Sequence, residues 1–177
     1  GTITYTGGIS DVVANIDATK LGNIQSEDAD FGITITDVVT VVNALAVVGK
    51  TSGSAAFTVG ISDTSAQLKS GGTAFANIDT IVAKDADVTI VQASGIFTIN
   101  EANTLVGKST GTITLTGGIS DSQANIDSTK LTAIETKDAD VTITITDTMT
   151  VATSKIVTDA TTGTIVFSGT PAISDNV

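Results

Sequence analysis

Several residue types are scarce or missing in this chain of 177 residues. It has no Cys, no His and no Trp, a single Pro and a single Met, and aromatic residues make up only 3%. Without Cys there is neither a disulfide framework nor a thiolate metal site, and the redox compartment is left open. Without His there is no side chain that shuttles protons near neutral pH. Ser and Thr are plentiful but have no evident activating base. Basic residues are few as well: eight Lys and Arg stand against nineteen Asp and Glu, a formal charge of −11. Such a chain repels nucleic-acid phosphates and anionic membrane surfaces. No apolar run reaches the roughly 20 residues that a membrane-spanning helix needs. The sequence opens with neither an initiator Met nor a basic-then-apolar signal. It starts and stops in mid-pattern, so it reads as a piece of a longer protein.

What remains is an aliphatic, Thr-rich chain that is 41% hydrophobic and only 15% charged, a composition that folds rather than staying disordered. Its core must come from Ile, Val, Leu and Ala. The chain is also repetitive. "GTITYTGGISDVVANID" from Gly1 returns as "GTITLTGGISDSQANID" from Gly111. Ile-Ser-Asp recurs at Ile9–Asp11, Ile61–Asp63, Ile119–Asp121 and Ile173–Asp175, and Asp-Ala-Asp at Asp28–Asp30, Asp85–Asp87 and Asp138–Asp140. The step from one marker to the next is 17 residues in the first and third copies and 22 in the second, which places a five-residue insertion around Lys69–Thr73. The expected organisation is a single segment of repeats about 55 residues long, over residues 1–52, 53–110, 111–162 and a partial 163–177.

Within each copy two halves repeat a simpler unit, a strand pattern followed by a return segment. Apolar and polar residues alternate at Ile3 and Tyr5, at Ile33 and Ile35, at Ile113 and Leu115, and at Ile143 and Ile145, which is the period of a half-buried strand. The return segments read as helices. Thr98 and Glu101 have capping-box spacing before Leu105, Val106 and the stop at Gly107, and Ser120 and Gln123 have the same spacing. Val41, Ala44, Leu45 and Val48 lie on one helical face. Strand and return segment in alternation predict an α/β solenoid, one parallel sheet of about seven stacked strands covered by short helical or irregular returns. The alternative is an all-β parallel β-helix.

Candidate sites follow from the repetition. Asp11, Asp63 and Asp121 read as helix N-caps or turn formers. The pairs Asp28 and Asp30, Asp85 and Asp87, and Asp138 and Asp140 could each turn two carboxylates toward one loop ion, and calcium is the ion such oxygen sites take. Neighbouring Lys84 and Lys137 oppose a cation there, and no EF-hand loop is present. No cofactor is expected apart from that calcium. Gly7-Gly8 and Gly117-Gly118 read as tight turns, since neither a dinucleotide fingerprint nor a phosphate-loop lysine follows them. The outward rows Thr2, Thr4 and Thr6, then Thr34 and Thr36, then Thr112, Thr114 and Thr116, then Thr142, Thr144 and Thr146 would make a Thr ladder suited to ice or sugar if the strands stacked in register. Ser54, Ala56 and Val91 interrupt it. Acidic residues that recur in every copy suit turns rather than a single active site, so no enzyme and no catalytic residue is expected.

"GTITLTGG", "ISDSQANID" and "TITDVVTVVNALA" together resemble the tandem repeats of very large bacterial secreted or cell-surface proteins, whose segments read close to "SDTAANI" and "TVAQA". The resemblance covers essentially the whole chain, with departures at Gln67 and the insertion. It implies an extracellular filament, sheath, surface layer or giant adhesin, with copies of itself or flanking repeats as partners.

Overall fold

A computed structural model describes residues 3–16, 18–72, 74–168 and 173–174. Its nine strands are β1 (Ile9–Asp11), β2 (Ile33–Ile35), β3 (Ala55–Phe57), β4 (Ile61–Thr64), β5 (Ile90–Ser94), β6 (Ile113–Thr114), β7 (Ile119–Asp121), β8 (Ile143–Ile145) and β9 (Ile165–Phe167). Its seven α-helices are α1 (Ala18–Glu27), α2 (Val41–Val48), α3 (Ser65–Leu68), α4 (Ala76–Val82), α5 (Ile99–Val106), α6 (Ser128–Lys137) and α7 (Val151–Asp159). Short 3-10 turns occupy Val13–Asn15 and Gln123–Asn125.

The expected single sheet of about seven strands is not formed, and neither is the all-β alternative. The strands make three separate three-stranded sheets, ordered β1-β2-β3, β4-β5-β6 and β7-β8-β9, in a mixed α/β arrangement. The pairings in the first and third sheets are parallel. One cause of the break is the Ile-Ser-Asp motif. It is not a turn but the first strand of each sheet, and a glycine turn ends the sheet before it. Gly60, between β3 and β4, has φ +93, and Gly118, between β6 and β7, has φ +75, both in the left-handed region that a side chain disfavours. The expected strand around Ile3 and Tyr5 is likewise absent. Ile3 is 51% exposed, and the Gly8 N–H closes a turn on the Tyr5 carbonyl.

Backbone contacts divide the chain into two compact units. The first holds Gly1–Asp63, Gln67–Val91 and Lys108–Thr112, and the second Thr64–Ala66, Gln92–Gly107 and Ile113–Val177. In the first, α2 packs on α4, and Phe31, Ile33, Ile35, Phe57, Ile78 and Ile81 are buried. In the second, α5 packs on α6, and Phe97, Leu105, Ile134, Ile143, Ile145 and Met149 are buried. Each such aliphatic side chain withdrawn from water contributes about 1.5–3 kcal/mol.

Three of the helices, α2, α5 and α7, begin where Thr supplies a cap, while Asp127 caps α6. The Thr98 hydroxyl accepts the Glu101 N–H at 3.2 Å while the Glu101 carboxylate accepts the Thr98 N–H at 2.9 Å, the reciprocal box that the spacing predicts. Thr40 and Thr150 cap α2 and α7 through the hydroxyl alone, which accepts the Asn43 N–H at 3.3 Å and the Thr153 N–H at 3.2 Å. On α2 the buried face is Val41, Ala44, Val47 and Val48, with Leu45 only half-buried. Ser120 caps nothing of its own, because it lies inside β7.

The Thr ladder does not line up. Register places Thr34 between Ser10 and Ala56, and Thr144 between Ser120 and Val166, so neither has a Thr neighbour across the first or third sheet. Thr2, Thr73 and Asp175 fall outside the described residues.

Candidate functional site

The acidic residues of the repeat reach back along the sequence to bind main chain. In β7, Asp121 accepts the Ile99 N–H at 3.0 Å, which is the first amide of α5, 22 residues earlier. Asp63 accepts the Val41 N–H, the first amide of α2, at 3.1 Å. Both carboxylates therefore sit at a helix N-terminus as expected, but the helix belongs to the preceding segment. Asp121 also accepts from its own Ser122 N–H at 2.9 Å and from Asn125 Nδ2 at 2.6 Å, and Asp11 binds Val12 and Asn15 in the same way, each at 2.8 Å. Asp37 accepts the Val13 N–H at 2.8 Å and Asp147 the Gln123 N–H at 2.6 Å, which fixes the two 3-10 turns.

The Asp-Ala-Asp pairs follow the same rule. Asp28 accepts the Tyr5 N–H at 2.7 Å, Asp85 the Phe57 N–H at 2.6 Å, and Asp138 the Leu115 N–H. The second member of each pair, Asp30, Asp87 or Asp140, is exposed. Each pair lines an open groove, of about 450 Å³ beside Tyr5 and Phe31, about 250 Å³ beside Phe57, and about 170 Å³ beside Leu115. The Lys84 ammonium donates to the carbonyls of Ser52 and Gly53 at 2.8 and 3.0 Å. Among the described residues no three acidic side chains converge as metal ligands. One carboxylate of each pair is already committed to main chain.

The three pairs differ electrostatically. The Tyr5 N–H, helped by Asp30, holds the Asp28 carboxyl below its usual range. Burial, reinforced by Asp87, pushes Asp85 up despite the Phe57 N–H, and burial with Asp140 does the same to Asp138 despite the Leu115 N–H. A carboxyl whose folded pKa is raised contributes stability that is complete below the unfolded pKa and is lost as pH rises through the folded value. Asp87→Asn and Asp140→Asn should therefore raise the melting temperature at pH 7, with the gain shrinking toward pH 3.5. Asp30→Asn should give no such gain. Thermal melts of the three variants across this range check the sign.

A second recurrent tie was not anticipated from the sequence. Thr51, Ser109 and Thr161 each open a Thr/Ser-Thr/Ser-Gly corner. The Ser109 hydroxyl donates to the Val88 carbonyl at 2.6 Å and accepts the Gly111 N–H at 3.0 Å, while the Thr110 N–H donates to the Ala86 carbonyl at 2.9 Å. Thr51 binds Phe31 and Thr161 binds Val141 in the same manner. The signal that could have revealed these corners is the tripeptide itself, at residues 51–53, 109–111 and 161–163. One core position departs from the repeat. Gln92, third in β5 where β2 and β8 carry Ile35 and Ile145, is fully buried; its amide donates to the Gly95 carbonyl at 2.9 Å, and its Oε1 has no partner among the described residues.

No protein-family model, no curated protein and no solved structure matches this chain.

Proposed function

We propose that this chain is a structural module of an extracellular filament, sheath, surface layer or giant adhesin, acting through association of its segments with copies of itself or further repeats. The observation that carries this reading is how the recurrent polar residues are used. Asp28, Asp37, Asp63, Asp85, Asp121, Asp138 and Asp147 accept main-chain N–H groups 22 to 28 residues away, so residues that elsewhere serve chemistry here join one segment to another. The acidic composition and the repeat texture support the extracellular setting. The reading includes no catalytic step. Sedimentation velocity and electron microscopy over a wide concentration range test it: linear assemblies that grow with concentration support it, and monodisperse single particles throughout would overturn it.

A second reading is favoured by the three grooves. Each offers two carboxylates beside an apolar or aromatic wall and Thr hydroxyls, a lining suited to calcium or to a sugar. Melting curves with calcium and with chelator, and with neutral oligosaccharides, separate it from the first; unchanged melting in all of them removes it.

A further inference from the structure

Three of the four Ile-Ser-Asp sites show what lies against this motif. Ile61, Ile119 and Ile173 form parallel bridges with Val39, Phe97 and Met149, and each of those residues directly precedes a Thr-capped helix. The bonds repeat as well. The N–H groups of Ser62, Ser120 and Ser174 donate to the carbonyls of Val39, Phe97 and Met149 at 2.9, 2.9 and 2.7 Å. At the first two sites the opening helical amide, Val41 or Ile99, then reaches the motif's Asp. The helix continues over the apolar side of the helix that follows the motif: α5 lies on α6, where Ile134 is fully buried.

The fourth site carries the same residues without this cover among the described residues. β1 is an edge strand, and the Ser10 N–H, exposed, has no acceptor among the described residues. Ile9 is half-buried where Ile61 and Ile119 are 0% and 2% exposed. On α1, Ile24 is half-buried at the place that Ile134 fills on α6. Asp11 already holds one oxygen on Val12 and Asn15, as Asp121 does on Ser122 and Asn125, and its second oxygen is left where Asp121 receives Ile99.

We propose that the free edge of β1, together with the Ile24 side of α1, docks a polypeptide segment consisting of an extended apolar residue, a Thr and a Val or Ile that opens an amphipathic helix. The extended residue's carbonyl accepts the Ser10 N–H, the first helical N–H donates to Asp11, and the apolar helix face covers Ile24. Asn15 and Val12 keep the Asp11 carboxyl below its usual range, so it stands ionised as an acceptor at neutral pH. The three segments of this form in the chain are each engaged on their own motif, so the docked segment comes from other polypeptide rather than from a second copy. The inference rests on the assembly reading above in its version with further repeats, and names what the edge takes.

The test uses the full chain, isotopically labelled, and a capped synthetic peptide of residues 94–108, which includes Phe97, Thr98 and Ile99. Saturable amide shifts confined to Ser10, Asp11 and Ile24 are expected. Binding should weaken about tenfold when the peptide's Ile99 nitrogen is methylated, since that removes the one N–H meant for Asp11. In a second arm the same segment is fused through a flexible linker ahead of residue 1, at an effective concentration on the order of millimolar. Hydrogen exchange at Ser10 should then slow at least roughly tenfold. Unchanged exchange at Ser10 in the fusion, equal binding of the methylated peptide, or shifts centred on Ile119 instead would each overturn the assignment. Docking by a chain that never assembles would leave this site standing and end the assembly reading, and assembly without docking would do the reverse.

Discussion

Replacing Gly111 by Ala should destabilise the protein by about 3 kcal/mol, at or beyond the upper end of ordinary overpacking. A Cβ at Gly111 would lie 2.0 Å from the Asp87 carbonyl oxygen, 2.7 Å from its carbon and 2.9 Å from the Val88 oxygen. All three atoms are main chain, so no side chain can swing aside. The main chain cannot yield cheaply either, because Ser109 and Thr110 tie the corner to Ala86 and Val88, just ahead of the buried Ile90. Gly53 and Gly163 meet Asp30 and Asp140 at 2.1 and 2.0 Å, so their Ala variants should behave alike. Gly22 supplies the contrast. It lies within α1, and a Cβ there meets nothing within 4 Å, so Gly22→Ala should stabilise by roughly 0.5–1 kcal/mol through helix propensity and lost unfolded-state freedom. Urea unfolding of the four variants reads both signs, and a Gly111→Ala midpoint equal to wild type would show that the corner relaxes freely.

What could be read from the sequence was what local pattern determines. Alternation at Ile33 and Ile35 and at Ile143 and Ile145 predicts the central strands, and Thr98 with Glu101 predicts a helix start that forms in both halves of its box. The rest depended on partners distant in sequence. Ser and Asp are poor strand residues, so Ile119–Asp121 reads as a turn until Phe97 and Ile143 are seen on either side of it. Register is equally invisible: Thr144 faces Val166 because of where Gly163 lets the chain approach Asp140, not because of any feature of Thr144. Three strands to a sheet, rather than seven, follows in part from the φ of Gly60 and Gly118, which composition alone does not reveal. The candidate site was half legible. The Asp residues are helix and turn acceptors as expected, but their donors lie in the preceding segment, beyond the span of any local motif.

The two nearly identical motifs that start at Gly1 and Gly111 give the second large effect, because one sequence sits in two environments. Asp121→Ala removes the acceptor for three donors at once: Ser122 N–H, Asn125 Nδ2 and the Ile99 N–H that opens α5. Asp121 is 8% exposed and Ile99 fully buried, so water cannot replace the carboxylate, and a stranded buried amide costs more than the bond itself contributes. A loss of roughly 3 kcal/mol is expected, from one unsatisfied buried donor and two broken charged hydrogen bonds. Asp11→Ala breaks only the bonds to Val12 and Asn15, in a half-buried place where solvent can take over, and should cost about 1 kcal/mol. Asp121→Asn keeps one acceptor oxygen and should fall between them. Denaturant midpoints for the three variants decide the matter. Equal losses at Asp11 and Asp121 would mean that the bond to Ile99 contributes nothing, and that α5 is held by the packing of Leu105 and Val106 and by its capping box alone.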